Sequence, residues 1–272
     1  MTDRSEASSI LYKEVWLFLI SILILNAIFV TAIAMEWLPR RYFADGRLYL
    51  LVGTLVGAIV VMRGPRTVIE LVKPLLVVRF NWLWFFIAMF WPIVFSVTFV
   101  IVRSILTGDE MKIIGPGFQL FYRDGFLLNI FILALIGEIV WVGYCLKNLS
   151  KFHSLVLTAL IVGTFWSLWW TPMMYHQIGI VPNLEIIGLT MNMIGIAFFC
   201  GFFYTLTGSG LPILFMQFCF NNSILAFPVL PGASSQLSYQ IYSGLYMLIG
   251  MFCVVILLPY IQRRRGMAAA PA

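Results

Sequence analysis

Eight apolar runs, separated by short polar or charged stretches, dominate the pattern of this sequence. An α-helix rises about 1.5 Å per residue, so about 20 apolar residues cross the roughly 30 Å hydrocarbon core of a bilayer. The second run is short, and the seventh begins at Gly208-Ser209-Gly210 and contains Pro212, which predicts a bent or unwound start. The predicted spans are 15–35, 47–62, 81–104, 126–146, 155–175, 184–206, 210–228 and 239–261.

Lys and Arg residues are more numerous on one side of this layout than on the other. Cytoplasmic loops of membrane proteins carry an excess of these residues, so the bias predicts that both termini are cytoplasmic. An even number of spans agrees with that orientation. The inner side would hold Arg4, Lys13, Arg63, Arg66, Lys73, Arg79, Lys147, Lys151, Arg263, Arg264 and Arg265, and the outer side Arg40, Arg41, Arg47, Arg103, Lys112 and Arg123.

Three segments are predicted to lie outside the spans. The segment 63–79 mixes prolines and apolar residues between charges, which predicts a stretch along the inner interface. The segment 106–125 carries charges of both signs and the turn Gly115-Pro116-Gly117, which predicts an outer loop. Residues 262–272 are predicted to form a disordered tail.

The composition supports a membrane protein and excludes several other classes. Hydrophobic residues make up 62% of the 272 positions and charged residues 10%, more apolar surface than a soluble domain can hide from water. The chain is therefore predicted to be a single integral membrane domain over 1–272. The net charge of +6 belongs to loop residues, without the basic and aromatic surface of a nucleic-acid-binding protein. The four cysteines form no C-x-x-C pair, so no metal site, cofactor or disulfide framework is expected.

Glu138 is the acidic residue placed deepest inside a predicted span. A carboxylate at that depth costs about 2.5–3.5 kcal/mol on insertion scales, so such a residue is a candidate for function. Alternatively, a protonated Glu138 bonds to a neighbouring helix and only holds the bundle together.

Amide and indole groups supply the remaining candidates. Gln217 and Asn221 are four residues apart and share one face of a helix, where amides commonly bond across to another helix. Tryptophan near a helix end is most often an interfacial anchor. Trp166 and Trp170 nevertheless lie deep enough in their span to line an internal cavity, and Trp141 is predicted to join them.

Three strings within 126–228 resemble, in order, the motifs of the CAAX-protease and bacteriocin-processing (CPBP, or Abi) family. The string GEIVWVGY at 137–144 is similar to the family's Glu-Glu-Ile-Gly-Trp-Arg-Gly-Tyr. The string FWSLWWTP at 165–172 resembles its second motif, which ends in Trp-His-x-Pro. The string LFMQFCFN at 214–221 resembles its third, which ends in His-x-x-x-Asn.

The resemblance implies a glutamic-type intramembrane endopeptidase. In that family a Glu activates water, two His residues and an Asn stabilise the oxyanion, and an Arg orders an acidic pair. Here only Glu138 and Asn221 match those positions. The other Glu, the Arg and the two His residues are replaced by Gly137, Val142, Trp170 and Gln217.

These losses lead to a pseudo-protease as the first hypothesis. Such a protein would bind a lipidated or hydrophobic peptide, or a membrane-protein partner, as an immunity or accessory factor in the bacterial cytoplasmic membrane. A second hypothesis is an altered peptidase with Glu138 as its base and Asn221, Gln217 and Trp170 as donors to the oxyanion. A transporter or channel is the third hypothesis and ranks last, because a conducting path needs several intramembrane charges and this sequence places one deep inside a span.

Overall fold

The computed structural model describes residues 2–269, with side chains described over 8–264, and shows an all-α protein. No β-strand forms within 2–269. The prediction of an all-helical bundle is therefore confirmed, and each apolar run corresponds to one continuous helix. The helices are α1 (Thr2–Ala34), α2 (Phe43–Arg63), α3 (Trp82–Thr107), α4 (Phe126–Leu149), α5 (Leu155–His176), α6 (Ile186–Thr207), α7 (Leu211–Ala226) and α8 (Gln236–Phe252, continuing through Cys253–Leu257 and Leu258–Ala269).

Seven of these eight helices are long and apolar enough to cross a membrane, as expected of an integral membrane protein. The exception is α7, whose 16 residues reach only about 24 Å. The sequence predicted a longer span over 210–228. Gly208 ends α6 in the left-handed conformation (φ 66°), and Pro212 lies in the first turn of α7. A tight turn therefore precedes α7, which begins one residue after the predicted start and ends two residues before the predicted end.

Helix α6 lies at the centre of the bundle. About 78% of its most apolar stretch is buried by other helices, against 28–44% for the other six long helices. It packs mainly against α5 and α8, while α1 packs against α2 and α5, and α7 against α3 and α4. The outer helices leave many Leu, Ile, Val and Phe side chains exposed on the outside of the bundle, as expected of helices that face lipid.

The segment 64–79 packs against the turn between α6 and α7. It forms two 3-10 helices, Pro65–Leu71 and Lys73–Leu76, each with proline in its first turn. The backbone N–H of Gly210 donates to the Pro74 carbonyl (2.9 Å), and the Ser209 hydroxyl donates to the Val77 carbonyl (2.6 Å). The segment thus covers the end of the bundle where α1 and α7 begin.

At the opposite end, the segment between α3 and α4 covers the last turn of α7. It contains one 3-10 helix, Pro116–Tyr122, and the N–H of Gly115 donates to the Ala226 carbonyl (2.7 Å). A Cβ at Gly117 would overlap the Leu225 carbonyl, so the close approach requires glycine there. The predicted Gly-Pro-Gly turn is therefore a contact site between this loop and α7.

The end of α8 differs from the sequence prediction. The helix continues to Ala269, where a disordered tail was predicted to start at 262. Arg, Met and Ala are strong helix formers, so the helix extends beyond the apolar run. Residues 270–272 of the predicted tail lie outside the described residues.

A buried ion pair joins three helices at the end of the bundle where α1 begins. The Arg63 guanidinium donates to both carboxylate oxygens of Glu14 (2.7 and 2.9 Å), and the Tyr144 hydroxyl donates to Glu14 as well (2.7 Å). Glu14 is fully buried, although the sequence placed it just outside the first predicted span. Glu138 is therefore not the only buried carboxyl of the bundle.

Candidate functional site

The middle of α4 departs from α-helical geometry at the first motif. Residues Glu138–Leu146 form a π-helical stretch, and π-turns are frequent at functional sites because they alter the direction of side chains. Eight of its nine residues are buried, so this part of α4 is held on all sides by other elements.

A largely apolar cavity of about 340 Å³ lies between α2, α4, α5, α6, α7 and α8. The loop after α5 closes one end of it with Gly179, Ile180, Val181 and Leu184. The volume is at the lower end of the roughly 300–1,000 Å³ typical of small-molecule pockets. The aromatic and amide residues that line it are Trp141, Trp166, Trp169, Trp170, Asn192, Gln217, Phe220, Asn221 and Tyr239.

The structure brings five of the six predicted site residues together around this cavity. Trp141 and Trp166 are stacked, with ring centroids 5.6 Å apart and 13° between the planes. Trp170, Gln217 and Asn221 line the same space from α5 and α7. Residues from all three motif-like strings therefore meet at one place, although they are far apart in sequence.

Glu138 lies apart from the other five. Its side chain is fully buried, turned toward the α6–α7 turn, where its Oε1 is 2.6 Å from the position of a Cβ on Gly210. Neither carboxylate oxygen has a hydrogen-bond partner among the described residues. Consecutive helical residues point about 100° apart, so Gly137 faces the cavity and Glu138 does not. The expectation of a cavity framed around Glu138 is corrected accordingly.

Gly137 and the side chain of Gln217 lie in close contact at the wall of the cavity. A Cβ built on Gly137 would lie 2.6 Å from Gln217 Oε1 and 3.6 Å from Trp166 Cζ2. The Gln217 amide thus occupies the space that a side chain at 137 would need. The two departures from the family motifs, Gly137 and Gln217, are therefore sterically linked.

Two buried amides of the cavity have hydrogen-bonding atoms without a partner among the described residues. Gln217 is 3% exposed and its Nε2 donates to no acceptor, while Asn192 is 1% exposed and its Oδ1 accepts from no donor. Buried polar atoms without partners are costly, so each site suits a bound polar group. Asn192 was not singled out from the sequence, although an amide in the middle of an apolar run is a detectable signal.

A second group missed from the sequence surrounds Arg47 in the first turns of α2. The prediction placed Arg47 on the outer side, at the end of a span, and did not identify it as a buried residue; its side chain is 5% exposed. The Trp169 carbonyl accepts from Asn26 Nδ2 (2.8 Å) and Arg47 Nη2 (3.3 Å), and Arg47 Nε donates to Asn26 Oδ1 (3.1 Å). Arg47 therefore ties α1, α2 and α5 together.

We expect Gly210→Ala and Glu138→Ala to be strongly coupled. In the wild type the new Cβ would lie 2.6 Å from Glu138 Oε1 and 3.2 Å from Leu75 Cδ2, so Gly210→Ala should be destabilising. Once Glu138 is shortened, the same substitution should have little effect. A double-mutant cycle of thermal unfolding in detergent should give a coupling of about 1–3 kcal/mol. Additive effects would contradict the contact.

The structure combines seven helices that are long and apolar enough to cross a membrane with a mainly apolar cavity between helices. The sequence matches no model of a known protein family and no curated protein. The likeness to CPBP proteases therefore rests on the residues of the three strings, and what it implies for function is a proposal.

Proposed function

We propose that this protein is a non-proteolytic membrane protein, related to CPBP proteases in scaffold, that binds an apolar ligand segment in its cavity. The ligand would be a lipid or a lipidated or hydrophobic peptide, and the protein would act as an immunity or accessory factor in a bacterial cytoplasmic membrane. One observation carries the proposal: the described residues that line the cavity include no Asp, Glu, His or Cys.

Peptide hydrolysis needs a base within hydrogen-bond reach of the attacking water. The cavity offers amides and indoles, which donate or accept hydrogen bonds but do not exchange protons near neutral pH. Gln217 and Trp170 are therefore suited to hold a carbonyl or hydroxyl group of a ligand. They are not suited to replace the histidines of the family in catalysis.

The walls favour an apolar ligand with a small polar part. Most of the lining is Leu, Ile, Val, Met, Phe and Trp, which gives no reason to bind a highly polar molecule. The free Gln217 donor and the free Asn192 acceptor provide the only buried unpartnered amide atoms among the described lining residues. A hydroxyl or an amide group of the ligand would satisfy both types of atom.

The geometry does not favour the two alternatives. A peptidase that uses Glu138 as base would need its carboxyl group in the cavity, whereas that group lies against Gly210. A transporter would need charges along a path. The structure buries Glu14, Arg47 and Glu138, but none of the three lines the cavity.

Photo-crosslinking tests the proposal directly. A benzophenone amino acid in place of Trp170, activated in membranes of the producing cell, should give one adduct of defined mass by intact-protein mass spectrometry. The same probe in place of Val61, which is 78% exposed on α2, should label only bulk phospholipid. Identical adducts at both positions would contradict a specific ligand. Specific peptide cleavage by the purified protein that is lost in Glu138→Gln would overturn the non-proteolytic proposal.

Filling the cavity should abolish this adduct. We expect Gly137→Leu to reduce crosslinking from position 170 by about tenfold or more, because the new side chain enters the space beside Gln217 and Trp166. Gly57→Leu is the matched control, since a Cβ at Gly57 meets no atom within 4 Å. Equal yields from both variants would show that the adduct forms outside the cavity.

A further inference from the structure

A cluster rich in hydrogen-bond donors lies behind the wall of the cavity. We call it the Arg47 cluster; it consists of Asn26, Phe43, Arg47, Trp169 and Trp170. The Arg47 guanidinium carbon lies 3.9 Å from the Trp169 ring centroid, 5.2 Å from that of Trp170 and 5.5 Å from that of Phe43. The charge is thus enclosed by three aromatic rings.

Donors outnumber acceptors in this cluster. The guanidinium uses two acceptors, the Asn26 Oδ1 and the Trp169 carbonyl, and the second is shared with the Asn26 amide. The indole N–H groups of Trp169 and Trp170 are buried and have no acceptor among the described residues. A surplus of donors around a cation is the chemical complement of an anion.

The charge of Arg47 also lacks a counter-ion. No carboxylate of the described side chains lies within 4 Å of its guanidinium, whereas Arg63 is paired with Glu14. A buried charge without a partner is costly inside a membrane, and contacts with aromatic faces compensate only in part. The two arginines of α2 are therefore in different situations: the partly exposed Arg63 is paired with Glu14, whereas the buried Arg47 has no carboxylate partner among the described side chains.

The cluster adjoins the cavity near one end. Trp169, Trp170 and Leu48, the residue after Arg47, all line the cavity. Gly179, in the loop that closes this end, comes so near to Phe43 that a Cβ on it would overlap the ring. A ligand that extends from Gln217 toward this loop would bring its far end to the Arg47 cluster.

We infer that the ligand is a single-chain amphiphile with an anionic end, either a carboxylate or a phosphate. The anion would accept a hydrogen bond from the Trp170 indole and lie next to the positive charge of Arg47 behind it, and the hydrocarbon chain would lie in the apolar cavity, whose volume suits one chain better than two. This inference rests on the proposed function, because it assigns the polar end of the molecule held in the same cavity.

Three probes share one hydrocarbon chain and differ only in the charge of the end group: oleate, oleyl phosphate and oleyl alcohol. Binding to the purified full-length protein is measured by native mass spectrometry in a non-ionic detergent. We expect at least one anionic probe to bind about ten- to a hundredfold more tightly than the alcohol, as hydrogen bonds to a charged group allow. The tighter of the two anions identifies the end group.

Substitutions then test whether the preference for an anionic probe over the alcohol depends on the Arg47 cluster. Arg47→Gln should remove the preference for the anion while the affinity for oleyl alcohol changes less than about twofold, and Arg47→Lys should keep part of the preference. Arg103→Gln is the matched control, because Arg103 donates to the Pro228 carbonyl and does not line the cavity. Trp170→Phe removes one donor but keeps a ring, so it tests the same site if Arg47→Gln does not fold.

The outcomes distinguish the claim that the ligand has an anionic end from the claim that the cavity binds a ligand. Equal binding of anions and alcohol, or an anion preference that persists in both Arg47→Gln and Trp170→Phe, would overturn the anionic end and leave the cavity-binding proposal standing. If none of the three probes binds in the wild type and the photo-crosslink at position 170 is also non-specific, both claims fail.

Discussion

Arg63→Met is expected to destabilise the protein by about 3–5 kcal/mol, the largest single-residue effect anticipated for this chain. The substitution keeps an unbranched side chain of similar length but leaves the carboxylate of Glu14 buried with one neutral partner, the Tyr144 hydroxyl. Removing one partner leaves an uncompensated buried charge, which costs far more stability than replacing both charged partners with neutral residues. The measurement is the apparent melting temperature and the fraction of monodisperse protein after heating in detergent.

Two controls make this prediction specific. Arg66→Met changes the same residue type three positions later, where the side chain is exposed, and should have a small effect. The double substitution Glu14→Gln with Arg63→Met removes both charges and should recover most of the lost stability. If the double variant is as unstable as Arg63→Met alone, packing of the arginine and not its charge holds α1 and α2 together.

Gly163→Ala is expected to destabilise the protein by about 2 kcal/mol or more. Gly163 lies where α5 crosses the central helix α6, and a Cβ on it would lie 2.5 Å from Ile194 Cα and 2.8 Å from Ile194 N. Both atoms belong to the backbone, so no rotation of a side chain relieves the overlap and the two helices must separate. Small residues at such crossings are what allow helices in a membrane to approach closely.

Gly57→Ala is a control that should change the stability of the protein in the opposite direction. Nothing lies within 4 Å of a Cβ at Gly57, and alanine favours a helix by up to about 1 kcal/mol over glycine. Gly57→Ala should therefore raise the melting temperature slightly, whereas Gly163→Ala should lower it. If the two variants melt alike, α5 and α6 do not make the close crossing at Ile194.

Much of the helical layout was predictable because a membrane imposes a local rule. A span needs about 20 apolar residues, and the length of such a run is read directly from the sequence. For that reason the predicted 126–146 and 155–175 differ from α4 and α5 by at most three residues at either end. The agreement was poorer at the start of α1 and the end of α8, where the helices continue beyond the apolar runs predicted at 15–35 and 239–261.

The candidate site was predicted in part. Trp141, Trp166, Trp170, Gln217 and Asn221 were singled out as polar or aromatic residues in apolar runs, and they do line one cavity. The resemblance to three ordered motifs provided the reason to group them, since composition and periodicity do not relate residues on different helices.

Other features depended on which helices become neighbours. Glu14 and Arg47 lie near the ends of their apolar runs, where an exposed charge is the ordinary expectation. Glu14 is buried where α1, α2 and α4 meet, with Arg63 as its partner. Arg47 is buried where α1, α2 and α5 meet, with Asn26 as its partner. No local pattern states that Asn26 contacts a carbonyl 143 residues later in the chain.

The sequence by itself determined the helices, their approximate ends and the residues that are unusual in lipid, because each of these depends on a few neighbouring positions. Only the tertiary structure decided the side on which each unusual residue lies. Gly137 and Glu138 are adjacent, yet the rotation between consecutive helical positions turns one into the cavity and the other toward Gly210. That difference leaves no carboxylate among the described residues that line the cavity, which is the observation on which the proposed binding role rests.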